Sequence, residues 1–173
     1  MKDHALKSGV ILGVVGILIS LTAYIIDPLL IIKWWFGLSS LVLFIALVSY
    51  FGIQYREILG GFVSFKIGYI YSIITFVLAG LIGTAFNILL FHVIDPDLPQ
   101  LISEAIIEQT IEMMEGFGAN QEIIDQAIED ADTPATFTVI GQIKSFGMVL
   151  IFYTLMSLIS GAIIKRKVPE FSE

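Results

Sequence analysis

No cysteine occurs in this 173-residue chain. Disulfides, thiolate metal sites and cysteine nucleophiles are therefore excluded, and the redox compartment leaves no mark on the sequence. Histidine is nearly as scarce. His4 and His92 sit near opposite ends of the apolar sequence, so no His-centred active site is expected. Neither H-E-x-x-H nor G-x-S-x-G is present, and Gly116 with Gly118 does not make a phosphate-binding loop. No catalytic, cofactor-binding or metal-ligating residue is expected, and no cofactor. Charge is also short. Charged residues make up 14% and hydrophobic residues 57%, against roughly 25% and 45–50% in soluble domains.

What charge there is lies unevenly. Asp95 to Asp132 holds eleven of the sixteen acidic residues and no Lys or Arg, so the net charge of −7 divides into −11 there and +4 elsewhere. An acidic stretch does not suit nucleic acid, whose affinity comes from Lys and Arg neutralising phosphates.

Long apolar runs are abundant. Ser8–Ile26, Trp34–Tyr55, Ile67–Ile94 and Ser145–Ile164 lack Asp, Glu, Lys and Arg over 19, 22, 28 and 20 residues. A hydrocarbon core of about 30 Å needs about 20 helical residues, and without water the backbone must bond within each segment. Four such runs leave too little polar sequence to cover them as buried helices of a soluble protein. Lys2 and Lys7 before the first run look like a signal peptide, but the run is long for one and Leu21-Thr22-Ala23 is a poor cleavage site. It reads as a retained span.

Small residues punctuate the spans. Gly9, Gly13, Gly16 and Ser20 form one stripe at helical spacing, and Ala79, Gly80, Gly83 and Thr84 another. Such stripes let helices approach closely, within the bundle or, more sharply, in a homo-oligomer. Asn87 is expected to make an interhelical hydrogen bond rather than a substrate contact. Asp27-Pro28 is a cap-then-proline signal that starts the second helix at Pro28, with Lys33, Trp34 and Trp35 as interfacial anchors. Gln54–Lys66, broken by Gly60-Gly61, reads as an apolar loop lying on the membrane surface.

The acidic stretch reads as two helices. Asp95-Pro96 starts the first, running from Leu98 to Glu115, with Glu104, Glu108, Glu112 and Glu115 on one face. Leu98, Ile102, Ala105, Ile106 and Met113 lie opposite. Gly116–Asn120 breaks it, and Asn120 caps a second helix. There Ile123, Ile124, Ala127, Ile128 and Ala131 form an apolar arc, with Glu122, Asp125, Glu129 and Asp130 on the remainder. Thr133-Pro134 opens a fourth long helix to Ile164, about 45 Å at 1.5 Å per residue. Glutamates at i, i+4 repel by about 0.2–0.5 kcal/mol per pair. The acidic face is therefore a solvated surface, a docking surface for a basic protein, or a weak divalent-cation surface without an EF-hand loop.

Lys2, Lys7, Arg56, Lys66, Lys165, Arg166 and Lys167 share one side of a four-span topology, with Lys33 and Lys144 at the other. The positive-inside rule then puts both termini in the cytoplasm and the acidic hairpin outside. The expected architecture is all-α: one membrane domain over 1–173, four transmembrane helices, and an extracytoplasmic amphipathic helical hairpin inserted at 95–133. No charged residue sits near a span centre, which speaks against a coupled transporter.

Several short stretches carry a resemblance. Lys2, Ala5-Leu6-Lys7, Gly9 and Gly13, then Tyr55-Arg56-Glu57, Gly60-Gly61, Ser64-Phe65-Lys66 and Asp95-Pro96-Asp97 resemble the domain of unknown function 4199 family. That resemblance covers nearly the whole chain and implies a small four-helix protein of a bacterial inner membrane, with no activity to carry over. The expectation is a non-enzymatic structural or partner-binding membrane component in contact with the lipid bilayer, with a small transporter or channel subunit as the alternative.

Overall fold

The computed structural model describes the backbone of residues 2–130 and 133–167, and the side chains of these except 130, 133 and 134. Ala131 of the apolar arc, Asp132, the Asp130 carboxylate and the Thr133-Pro134 side chains lie outside the described residues. The helices are α1 (Lys2–Ile26), α2 (Trp34–Ile58), α3 (Phe65–Leu89), α4 (Leu98–Gly116), α5 (Gln121–Asp130), α6 (Thr133–Phe137) and α7 (Val139–Ile164). Among the described residues there is no strand beyond a single bridge between Val63 and Arg166.

Four helical stretches are long and apolar enough to cross a membrane: Lys2–Ile26, Trp34–Ile58, Phe65–Ile94 and Val139–Ile164. Large apolar side chains such as Leu18, Val42, Met148, Ile151 and Phe152 are exposed around them. Soluble monomers rarely expose apolar patches beyond a few hundred Å², so this surface fits lipid.

α3 is the central helix, packed on α1 along one side and α7 along the other. Contacts of Gly9 with Leu78 and Gly13 with Ile82 run in step along α1 and α3, so those two are parallel. Gly68 meets Gly161 and Gly80 meets Tyr153, so α3 and α7 are antiparallel. The start of α1, the end of α7 and the α2–α3 loop therefore gather at one end. Val63 and Arg166 exchange backbone hydrogen bonds of 3.0 and 2.9 Å there. Arg56 Nη1 donates to the Ile164 carbonyl at 3.0 Å, satisfying the C-terminus of α7. Gly60 and Gly61, at φ +88° and +90°, form the left-handed turn that releases the chain from α2.

The structure departs from the sequence reading at two helix starts. Asp27 does cap a helical turn, its carboxylate accepting from Leu29 N at 2.9 Å, but Pro28–Ile32 is a separate 3-10 helix. Lys33 is extended (ψ 126°), and α2 begins only at Trp34. The expected continuous fourth helix is also broken. Thr138 is extended (ψ 159°) between α6 and α7, its hydroxyl accepting from Gly141 N at 3.0 Å and donating to the Ala135 carbonyl at 2.7 Å. A threonine that caps the next helix competes with continuing the previous one. Thr138→Val is expected to cost about 1 kcal/mol in thermal unfolding and to speed hydrogen exchange in the first turn of α7; Thr138→Ser should behave as wild type.

α3 ends in a π-helical turn over Leu90–Ile94 before Asp95. The base of α4 then lies on that turn and on the 3-10 helix, with Leu90, Phe91, Leu98 and Ile102 buried together against Tyr24, Ile32 and Phe137. Farther out α4 has little to pack on. Ile124 of α5 is buried, but Met113, which the periodicity places on the apolar face, is exposed. α4 is seated by its base, and its outer end lacks a complete apolar cover.

Candidate functional site

Burial divides the bundle into a closed end and an open one. The buried residues of α2 are Val48, Ser49, Gly52 and Tyr55; those of α7 are Ser157, Ser160, Gly161 and Ile164. On α3 they are Gly68, Tyr71, Ser72, Thr75 and Phe76. All lie in the half nearest the start of α1 and the end of α7. Glycine allows that closure. A Cβ on Gly161 would stand 2.9 Å from Tyr69 N and 3.0 Å from Tyr69 Cα, and one on Gly68 would stand 3.1 Å from the Gly161 carbonyl oxygen.

A polar knot occupies the same end. The fully buried Tyr71 hydroxyl lies 2.7 Å from Ser8 Oγ and 3.0 Å from His4 Nδ1. Its ring stacks on Tyr55 at 5.3 Å and 8°. The His4 ring lies 5.3 Å from that of Tyr55 and 5.8 Å from that of Tyr71. Thr75 Oγ1 donates to the Tyr71 carbonyl at 2.9 Å and reaches the Ala5 carbonyl at 3.3 Å. The knot ties α1, α2 and α3 together. Sequence reasoning placed His4 only by its distance from His92 and missed these partners.

Toward the hairpin end the helices part around a cavity of about 430 Å³ between α1, α2, α3 and α7, within the roughly 300–1,000 Å³ of small-molecule sites. Its walls combine Leu12, Phe44, Phe76 and Phe146 with Ser20, Ser40, Asn87, Gln142 and Ser145, and none is charged. A smaller cavity of about 130 Å³ shares Ser20, Ile31 and Asn87 with it and reaches Tyr24, Phe91 and Leu98 under the base of α4. Tyr24 Oη donates to Asp95 Oδ2 at 3.0 Å beside that second space. Asp95 Oδ1 also accepts from the backbone of Asp97 and Leu98, at 3.3 and 3.2 Å.

The small-residue positions separate along this gradient. Gly9 and Gly13 stand against α3, where an added Cβ would come within about 3 Å of Leu78 and Ile82. Gly16 faces Phe44, and Gly80 lies under the Tyr153 ring. Gly83 faces open space, with no atom within 4 Å of an added Cβ. Asn87 lines the cavities, and its side-chain amide makes no hydrogen bond within the described residues. Gly52, Gly68 and Gly161 close the bundle without having been singled out in the sequence. Gly68 with Ser72, and Ser157 with Gly161, carry the small-xxx-small spacing that would have pointed to them.

The seven acidic candidates lie on α4 and α5. Glu104, Glu108, Glu112, Glu115, Glu122, Asp125 and Glu129 are all exposed, and none has an ion-pair partner among the described residues. Glu104 accepts from Gln100 at 2.9 Å and Asp125 from Gln121 at 3.0 Å. Among the described residues no three His, Asp or Glu side chains come together to hold a metal ion. Phe117, at the turn between the two acidic helices, is 86% exposed.

Four apolar helices of spanning length with lipid-like exposure make this a multi-pass helical membrane protein. The family model described as a protein of unknown function (DUF4199) matches residues 7–166, nearly the whole chain, and the chain belongs to that family. No curated protein and no solved structure matches it.

Proposed function

We propose that this chain is a non-enzymatic component of a bacterial inner membrane, with both termini cytoplasmic, that offers its acidic hairpin on the other side as a docking surface for a basic protein. Charge polarity supports the orientation. Lys2, Lys7, Arg56, Lys66, Lys165, Arg166 and Lys167 lie at the closed end, and only Lys33 and Lys144 at the hairpin end, the bias of the positive-inside rule. The observation that carries the docking reading is the hairpin's surface: seven exposed carboxylates without an ion pair among the described residues, beside exposed Met113, Phe117 and Ile123. An exposed aromatic flanked by unpaired charge supplies both an anchor and electrostatic steering for a partner.

A photo-crosslinking residue at Phe117, introduced in cells that produce the protein natively, is the test. One discrete protein adduct is expected, lost at raised salt and lost in Glu104/Glu108/Glu112→Gln. No adduct, or one indifferent to the three glutamates, contradicts the reading. A transporter or channel subunit is the second reading, favoured by the cavity alone; solute flux in liposomes with no partner found would support it.

A further inference from the structure

We propose that the cavity between α1, α2, α3 and α7 binds an uncharged, hydroxyl-bearing amphiphile drawn from the bilayer, of the monoacylglycerol or diacylglycerol type. Three observations fix the chemistry, and none depends on the docking reading of the hairpin. First, no Asp, Glu, Lys, Arg or His lines the cavity. An ionised carboxylate, phosphate or ammonium held there would be buried without a counter-charge, which is strongly unfavourable. Second, Asn87 presents an amide with no partner in the described chain, and Gln142 uses its Nε2 on the Thr136 carbonyl (3.2 Å), leaving its Oε1. With the hydroxyls of Ser20, Ser40 and Ser145 these form the polar part of the wall. An amide inside a membrane span gains from a hydroxyl partner that hydrocarbon cannot supply. Third, Leu12, Phe44, Phe76 and Phe146 make the rest of the wall apolar, the surface an acyl chain needs.

The packing also indicates the way in. Along the bundle axis the cavity is stopped at one end by the Gly68–Gly161 crossing and at the other by the Leu90, Phe91, Leu98 and Ile102 cluster, with the Tyr24–Asp95 hydrogen bond beside it. Sideways it is not stopped. No residue of Trp34–Leu47 or Val139–Met156 is buried, so α2 and α7 leave their hairpin-side halves unsealed. A mouth between them would face lipid. A membrane-dissolved ligand reaches it without crossing water.

The test uses full-length protein in lipid nanodiscs with a monoacylglycerol carrying a diazirine in its chain, adducts being mapped by residue. Labelling at Ser40, Phe76 and Phe146 should exceed that at lipid-facing Met148 and Phe152. Unlabelled monoacylglycerol should compete, and the corresponding fatty acid and lysophosphatidic acid should not. Gly83→Leu, placed where an added side chain meets open space, should reduce cavity labelling about tenfold, the effect of roughly one lost contact set of 1.4 kcal/mol. It should leave Met148 and Phe152 labelling unchanged. Asn87→Leu should raise the competing concentration about threefold to tenfold, as expected for one hydrogen bond. If Gly83→Leu lowers thermal stability, Gly37→Leu, also on the cavity wall with nothing within 4 Å of its Cβ, takes its place. Labelling spread evenly over the lipid-facing surface, or unaffected by the filling variant, overturns the site. Equal competition by the fatty acid overturns the neutral head group.

Discussion

Gly161→Leu is expected to open the closed end of the bundle, and even Gly161→Ala should cost about 1–3 kcal/mol, the range for overpacking a tight contact. The neighbours are what make this large. A Cβ at 161 meets the backbone of Tyr69, at 2.9 Å from N and 3.0 Å from Cα, and backbone cannot rotate away as a side chain can. Relief requires α3 and α7 to separate. Helices in lipid gain nothing from the hydrophobic effect on associating, so close packing carries their attachment. The control is Gly83→Ala, on the same helix pair's open side. With no atom within 4 Å, it should be neutral or stabilising by up to about 1 kcal/mol, the helix-propensity gain of alanine over glycine. Reversible unfolding in bicelles measures both. Equal effects at 161 and 83 would deny the gradient from closed to open packing.

Tyr71→Phe should cost about 1–3 kcal/mol, because it leaves buried polar partners unmet while barely changing volume. Ser8 Oγ and His4 Nδ1 both lose the hydroxyl that joins them, and Ser8 is itself buried. The ring stack on Tyr55 survives, which separates this variant from a cavity-forming one. Adding Ser8→Ala to Tyr71→Phe should cost less than the sum of the two single changes, since the second removes a group the first has already orphaned. Additive costs would mean that the 2.7 Å contact contributes nothing.

Much of the architecture was legible because it is written in local terms. Uncharged runs mark spans without knowledge of neighbours, and glutamates at 104, 108, 112 and 115 define a helix face by spacing alone. Family resemblance in Tyr55-Arg56-Glu57 and Gly60-Gly61 pointed the same way, and those residues lie at the closed end, where Arg56 meets the α7 terminus. What escaped depends on register between helices. His4 and Tyr71 are 67 residues apart, and nothing local says that α1 and α3 run parallel with those two level. Asn87 reads as an interhelical bond only if a partner helix is close, and it faces a cavity because α2 and α7 have no buried residue at that level. Thr138 escaped for another reason. It sits inside an apparently continuous helical pattern, and only its capping of Gly141 reveals the break.

The polarity of the molecule across the membrane is the claim on which the proposed function stands, and cysteine accessibility tests it most directly in a chain that has none of its own. Phe117→Cys reports the hairpin turn and avoids Gly118, whose φ of +78° a cysteine would strain. Lys66→Cys reports the exposed first turn of α3, at the same end of the bundle as the α2–α3 loop. In intact spheroplasts a membrane-impermeant maleimide should label Phe117→Cys fully and Lys66→Cys only after the membrane is opened. Labelling of Lys66→Cys in intact spheroplasts, with Phe117→Cys protected until lysis, would contradict it.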